Sequence, residues 1–307
     1  MTHYIAQRIV QVIPVIAGIS VVTFLMLHLV PGDPVLLFAG DKPLSEERAA
    51  EIRHQLGLDR PLLEQYWDYA RKAVVGDLGV GLRSQRPVRD SILEVLPSTV
   101  QLTLAALTFA AVVGISLGVF AAVSHGSWAD TATMALAMLG VSMPVFYSSL
   151  LLILLFSFTL AWLPATGQGG IERLIMPTLA LGMTSSAVLA RLVRSSMLEV
   201  LRQEYVVTAR AKGLAERLVL VRHALKNALI PAVTVLGLQL GALLGGAVIT
   251  ETIFSRPGVG RLAVDAIGSR DFPLVQGTVL FVATGYVLVN LLVDISYAYI
   301  DPRIRYR

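Results

Sequence analysis

The chain of 307 residues contains no cysteine, which excludes a disulfide framework and any thiolate metal site. Charge is scarce as well. Asp, Glu, Lys and Arg make up 15% of the residues, aromatics 7%, and hydrophobic residues 55%. Mean hydropathy is +0.70. An ordinary soluble domain carries roughly 25% charged residues, so this composition excludes one. No G-x-x-x-x-G-K-[ST] string is present, so the chain has no phosphate cradle for ATP. The five histidines (His3, His28, His54, His125 and His223) are scattered, and none has H-E-x-x-H spacing. No buried nucleophile and base stand out for a protease or acyl transferase. The chain reads as a non-enzyme with no metal ligands and no cofactor of its own.

What the sequence does have is long charge-free runs. Ile9–Val30, Ser98–Ser124, Leu174–Ala190, Ala228–Thr250 and Phe272–Val293 each carry no Asp, Glu, Lys or Arg. Thr131–Ile171 is a sixth, interrupted by Pro164 and the Gly169–Gly170 pair. A bilayer core of about 30 Å takes about 20 apolar helical residues, which gives six spans. Backbone groups in lipid must pair within their own segment, so the spans are helices. The expected fold is all-α and polytopic.

Lys and Arg set the orientation. With the N-terminus inside, cytoplasmic segments hold Arg8, Arg191, Arg194, six basic residues between 199 and 227, and Arg303, Arg305 and Arg307. The short outer loops hold only Arg173, Arg256, Arg261 and Arg270. The long loop is discounted because long loops translocate regardless of charge. Both termini are therefore expected in the cytoplasm, and the net charge of +4 is a topology signal and no sign of nucleic acid. The first run is too long for a signal-peptide core, and the PGDP after it is no cleavage site, so it reads as a retained anchor.

The chain divides into residues 1–30 with the first span, an extracytoplasmic segment 31–97, and a core 98–307. Within the segment, Leu44–Leu56 reads as a helix capped by Ser45 and stopped at Gly57. Pro61–Val75 reads as a second helix with Leu62, Leu63, Tyr66, Trp67 and Tyr69 on its apolar side, and Gly76, Gly79 and Gly81 mark turns. The segment is either a packed cap, a docking surface or a cavity wall. In the core, Gly114 and Gly118, and Gly237, Gly241 and Gly245, recur every four residues. Such strips let helices approach closely in lipid, whether inside the chain or against another subunit. Pro144 implies a kink and Pro231 a helix start. Asp294, with Asn290 one turn before it, is an acid near the inner end of the last span, and pairing with a cytoplasmic arginine is one reading of it. Asp33 in GDP reads first as a turn residue.

The most informative stretch is the polar island 199–227, EVLRQEYVVTARAKGLAERLVLVRHALKN, with Gly213 joining two helical halves. Leu214, Leu218, Val221 and Leu225 recur at helical spacing in the second half. Two amphipathic helices could rest on the membrane. The run Glu204, Tyr205, Val206, Val207, Thr208, Ala209, Arg210, Ala211, Lys212, Gly213 and Leu214, small in the middle and polar around, instead suits a groove on a partner in the water.

Tyr205–Leu214 followed by RHALKNALIP (Arg222–Pro231) resembles the EAA-type loop of ABC importer permeases of the dipeptide/oligopeptide group, with Val207 and Thr208 preceding Ala209. LVPGDP (Leu29–Pro34), LGLDRPLLEQY (Leu56–Tyr66), GDLG (Gly76–Gly79), PVRDSILEVLPSTVQL (Pro87–Leu102) and ETIFSRPGVGRL (Glu251–Leu262) resemble its B-type subunit in the same order. The resemblance implies a pathway shared with a C-type permease in a bacterial or archaeal cytoplasmic membrane. It further implies two ATPase subunits, which carry the ATP and magnesium and grip the loop, and an extracytoplasmic solute-binding protein. Ala209 and Gly213 are then expected to pack in the ATPase socket, with Arg210 and Lys212 at its rim. No residue is assigned to substrate. A stand-alone secondary transporter and a membrane scaffold remain the other readings at this point.

Overall fold

A computed structural model describes residues 2–29, 45–55 and 57–300. Val30 onward in LVPGDP, including Asp33, and the terminal arginines Arg303, Arg305 and Arg307 lie outside the described residues. The described residues form helices and no strand ladder, only an isolated bridge between Val80 and Pro87. Five helices are long and apolar enough to cross a membrane, or six spans if one bent pair counts as one. The all-α, polytopic expectation therefore holds. Packing groups the chain into two compact units, 1–99 with 257–307, and 100–256.

In the first unit α1 (Thr2–Leu29) lies along α11 (Phe272–Ile300). Gln276 donates from Nε2 to the carbonyls of Thr23 and Phe24 at 3.2 and 3.4 Å. Asp294 is paired with Arg8 at 3.1 Å, so the intramembrane acid belongs to a structural pair. The helices α2 (Glu46–Gln55) and α3 (Leu62–Val74) follow the expected segments. Ser45 Oγ accepts from the Arg48 amide at 3.3 Å. Gly57 ends α2 at φ +67°, a conformation that glycine adopts without a side-chain clash. Tyr66 and Tyr69 turn toward α1, where their hydroxyls reach Ser20 (3.0 Å) and Thr23 (3.1 Å). Leu62, Leu63 and Trp67 stay exposed, so the apolar residues of α3 split between two faces. Buried Asp271 accepts from the amides of Leu82 and Arg83 at 3.0 and 3.1 Å, fixing the turn before α4 (Val88–Val123). The start of α4 packs Val88 and Ile92 on α10 (Val259–Gly268) and α11.

The second unit is organised around α7 (Glu172–Val200), which buries twelve of its residues. It runs parallel to α4, with Gly182 against Phe109 and Ala106, and Gly114 and Gly118 against Leu189, Ala190 and Val193. A Cβ on Gly114 would stand 2.7 Å from both Leu189 Cβ and the Ser186 carbonyl. One on Gly118 would meet the Ala190 carbonyl at 2.6 Å. This GxxxG pair thus packs within the chain, backbone on backbone. Gly140 of α5 (Trp128–Ser142) and Gly246 of α9 (Glu216–Ile253) admit α7 side chains in the same way. Ser185 donates to Gln239 across the α7–α9 contact at 2.9 Å. Of the second strip, Gly241 is buried and Gly245 has nothing within 4 Å of an added Cβ.

Two proline effects differ from expectation. Pro144 produces more than a kink: α5 and α6 (Val145–Thr159) are bent by 107°. Pro144 sits in an extended conformation between them, where its missing N–H breaks the helical ladder. Pro231 is not a helix start but lies inside α9. The turns before it, Val219–Leu225, are π-wound, a local adjustment that accommodates a ladder disturbance.

Gly114→Val should therefore overpack the α4–α7 contact, at a cost of about 1–3 kcal/mol, whereas Gly245→Ala should leave the isolated chain unaffected. Thermal unfolding followed by size-exclusion in detergent measures both, and equal melting of the two variants would contradict the packing.

Candidate coupling site

The island folds as one short helix and the beginning of a long one. α7 continues through Val200, a turn follows with the Gln203 amide on the Val200 carbonyl at 3.0 Å, and α8 spans Glu204–Ala211. Glu204 sits in the first turn, where a carboxylate favours the positive end of the helix dipole. At the far end, Leu214 N–H bonds to the Ala209 carbonyl (3.4 Å) and Gly213 N–H to the Arg210 carbonyl (2.9 Å). Gly213 has φ +76°. This is a complete Schellman stop, for which glycine is the favoured residue. An added Cβ at 213 would find open space, so conformation and not crowding selects glycine there.

The second half of the island is no separate helix. It is the first three turns of α9, which runs unbroken from Glu216 to Ile253. Its buried residues are Val219 and Ala224, five apart, while Leu218 and Val221 are exposed. The apolar series Leu214, Leu218, Val221 and Leu225 therefore does not line one face, because the π-wound turns change the period from four residues to five.

Three contacts hold α8 between the end of α7 and the start of α9. Val206 and Ala209 are buried with Val219 against Val200 and Leu201. Asn227 donates from Nδ2 to the Tyr205 hydroxyl at 2.8 Å. Arg210 grips Glu216 through Nε (3.1 Å) and Nη2 (2.7 Å), and this hydrogen bond holds the Arg210 guanidinium above its ordinary value. Ala209 thus faces inward, and its small side chain serves the contact with the chain's own helices. Glu204, Tyr205, Thr208, Arg210, Ala211, Lys212, Gly213 and Leu214 lie on the exposed surface. Val207 is exposed there too, at 55%, an apolar side chain that suits a partner's surface.

One constellation escaped sequence reasoning. Asp130, buried at the start of α5, accepts from Arg194 Nε and Nη2 at 2.6 and 2.7 Å and from the Gly126 amide at 3.2 Å. His125 Nδ1 lies 3.2 Å from the same carboxylate, and Ser127 caps the helix by accepting from the Asp130 amide at 3.3 Å. The clamp ties α5 to α7 about two turns before the end of α7. The Ser127–Asp130 cap was the available signal, since the partner arginine lies 64 residues away. Two buried charged residues, Glu251 and Arg256, sit at the other end of α9. Arg256 donates from Nη2 to Gln101 Oε1 at 2.7 Å and from its amide to the Glu251 carbonyl at 2.8 Å. Among the described residues no group of three or more metal-ligating side chains occurs.

Solved structures with this fold include the inward-facing MetNI methionine ABC transporter, with a TM-score of 0.55 and 17% identity over 68% of this chain and 96% of that one. An amino acid ABC transporter gives a TM-score of 0.51 and 17% identity over 70% and 94%. Sequence comparison defines the family. Residues 114–306 match the binding-protein-dependent transport system inner membrane component family, and 1–103 match its membrane-component N-terminal region. The chain belongs to this family and is a permease subunit of an ABC importer. It is 43% identical over the full length of both chains to the glutathione transport system permease protein GsiC of Escherichia coli K12. It is 44% identical, again over 100% of each, to the di/tripeptide transport system permease protein DppB of Pseudomonas aeruginosa UCBPP-PA14. The dipeptide transport system permease protein DppB of Alkalihalophilus pseudofirmus is 42% identical over the same coverage.

Gly213→Val should unwind the end of α8, while Gly213→Asn, which tolerates a positive φ, should retain it. Limited proteolysis at Lys212 reads the difference, and equal protection of both variants would contradict the Schellman stop. Asp130→Asn should lower the melting temperature of the purified chain by several degrees, because it leaves the Arg194 guanidinium without a matching charge.

Proposed function

We propose that the chain forms, with a second permease of C type, the pathway of an importer for di- or oligopeptides. Two ATPases drive it by gripping the α8 region, and a solute-binding protein delivers the cargo. Both termini and α8 lie on the cytoplasmic side, as the distribution of arginine and lysine requires, and the 31–97 segment lies on the other. ATP and magnesium belong to the ATPases.

The observation that carries this reading is the mounting of α8. Its inner face is packed on the ends of α7 and α9, its two ends are pinned by Tyr205–Asn227 and Arg210–Glu216, and its outer face presents Val207, with Leu214 exposed just past the Gly213 stop. A push on α8 is therefore delivered to two spans at once. A partner biases the permease only through different contacts in its two states, and a fixed helix with an apolar outer face supplies a surface for them. Peptide-like cargo is supported by the names of the full-length relatives, since glutathione and dipeptides share an amide backbone with an ammonium and carboxylates. Gly245, open on the surface of α9, suits the approach of a helix from the second permease.

Reconstitution in proteoliposomes with both permeases, the ATPases and the binding protein tests the proposal. Labelled dipeptide should accumulate only with ATP, and Val207→Arg should lower uptake at least tenfold while the complex still assembles. Uptake without ATP would identify a stand-alone carrier, and copurification without uptake a scaffold.

A further inference from the structure

Beside α3 the first unit holds a cavity that neither the fold nor the coupling site uses. Its volume is about 250 Å³, and its walls include Ile92 and Leu93 of α4, Leu280 and Phe281 of α11, and Ala73 of α3. Both α4 and α11 are long and apolar enough to cross a bilayer, and the slot lies between the outer part of the α11 span and the stretch of α4 that precedes its apolar run. Leu93 is 47% exposed, which leaves the slot open on that side. Arg89 borders it. This guanidinium is exposed and has no hydrogen bond or ion pair with any described residue, whereas its neighbour Arg86 is paired with Glu94 at 2.8 Å.

The adjoining helix has the matching character. One face of α3 is held against α1 by the Tyr66 and Tyr69 hydroxyls. Another face carries Leu63, Trp67 and Val74, which are 80%, 62% and 87% exposed. Arg71 and Lys72 occupy its last turn. A helix fastened alongside a span, with an open apolar stripe, a tryptophan and basic residues, has the composition of a segment at the membrane–water interface.

We infer that α3, α4 and α11 form a binding site for one membrane phospholipid, with an acyl chain in the slot and the phosphate on Arg89. An apolar slot takes a hydrocarbon chain, and a guanidinium matches the geometry of a phosphate as a forked donor. A purely apolar helix would fill the slot and leave Arg89 without an anion, whereas a phospholipid brings both groups in one molecule, so the charge selects the lipid. The inference depends on the spans sitting in lipid and not on what is transported.

The test uses the assembled transporter purified in mild detergent, equilibrated with a phosphatidylglycerol that carries a diazirine in its acyl chain. Illumination should label peptides containing Leu93 or Phe281. Arg89→Glu should reduce that labelling at least fivefold, and native mass spectrometry should show one fewer retained phospholipid. Ala73→Trp, which fills the slot and leaves Arg89 in place, should have the same effect, and Arg71→Glu should have none. Unchanged labelling in both Arg89→Glu and Ala73→Trp would overturn the inference. So would a cross-link from Leu93 to the second permease in place of lipid.

Discussion

The second unit depends on how closely α7 is approached by its neighbours. At Gly114, Gly118 and Gly182 the backbones of α4 and α7 touch side chains and carbonyls of each other directly, leaving no room for a Cβ. Lipid gives two apolar helices no hydrophobic reason to associate, so van der Waals contact over a smooth surface must hold them. The same logic recurs at Gly140 and Gly246 on the other sides of α7. With α7 fixed from three directions, its last turn is a defined platform. The clamp of Arg194 on buried Asp130 secures that end, and α8 is mounted beyond it.

The number of spans was legible in the sequence because charge-free runs mark chain that can lie in hydrocarbon. Their ends were not, since helix and hydrocarbon have different limits. α4 begins ten residues before its apolar run, and Arg89, Asp90 and Glu94 ride on the same helix. α7 extends ten residues past its run and uses Arg194 to clamp α5. A charge count treats that arginine only as a topology marker.

The short helix of the island was legible in position and incompletely legible in orientation. A small residue such as Ala209 reads the same whether it faces a partner or its own chain, and only the packing with Val206 and Val219 decides. The glycine at 213 was recognised as a joint, and its positive φ supplies the reason. The ion pair Arg210–Glu216 was within reach of sequence, six residues apart across a helix stop, whereas Asp130–Arg194 is a long-range pairing with no periodic signature. Pro144 was seen as a kink, but a sharp bend at an extended proline is set by the tertiary packing of both flanking helices.

The wide turns in α9 make that helix a rod with a dislocation. A helix of 3.6 residues per turn advances about 100° per residue, so one extra residue in the ladder shifts the phase by about that angle. The side chains of α9 before Val219 and those after Leu225 belong to two helical lattices out of register on one continuous backbone. One rod can thus show one azimuth to α8 and another to α7. A single residue of slack, placed just before a proline that cannot complete the ladder, does the work of a separate joint.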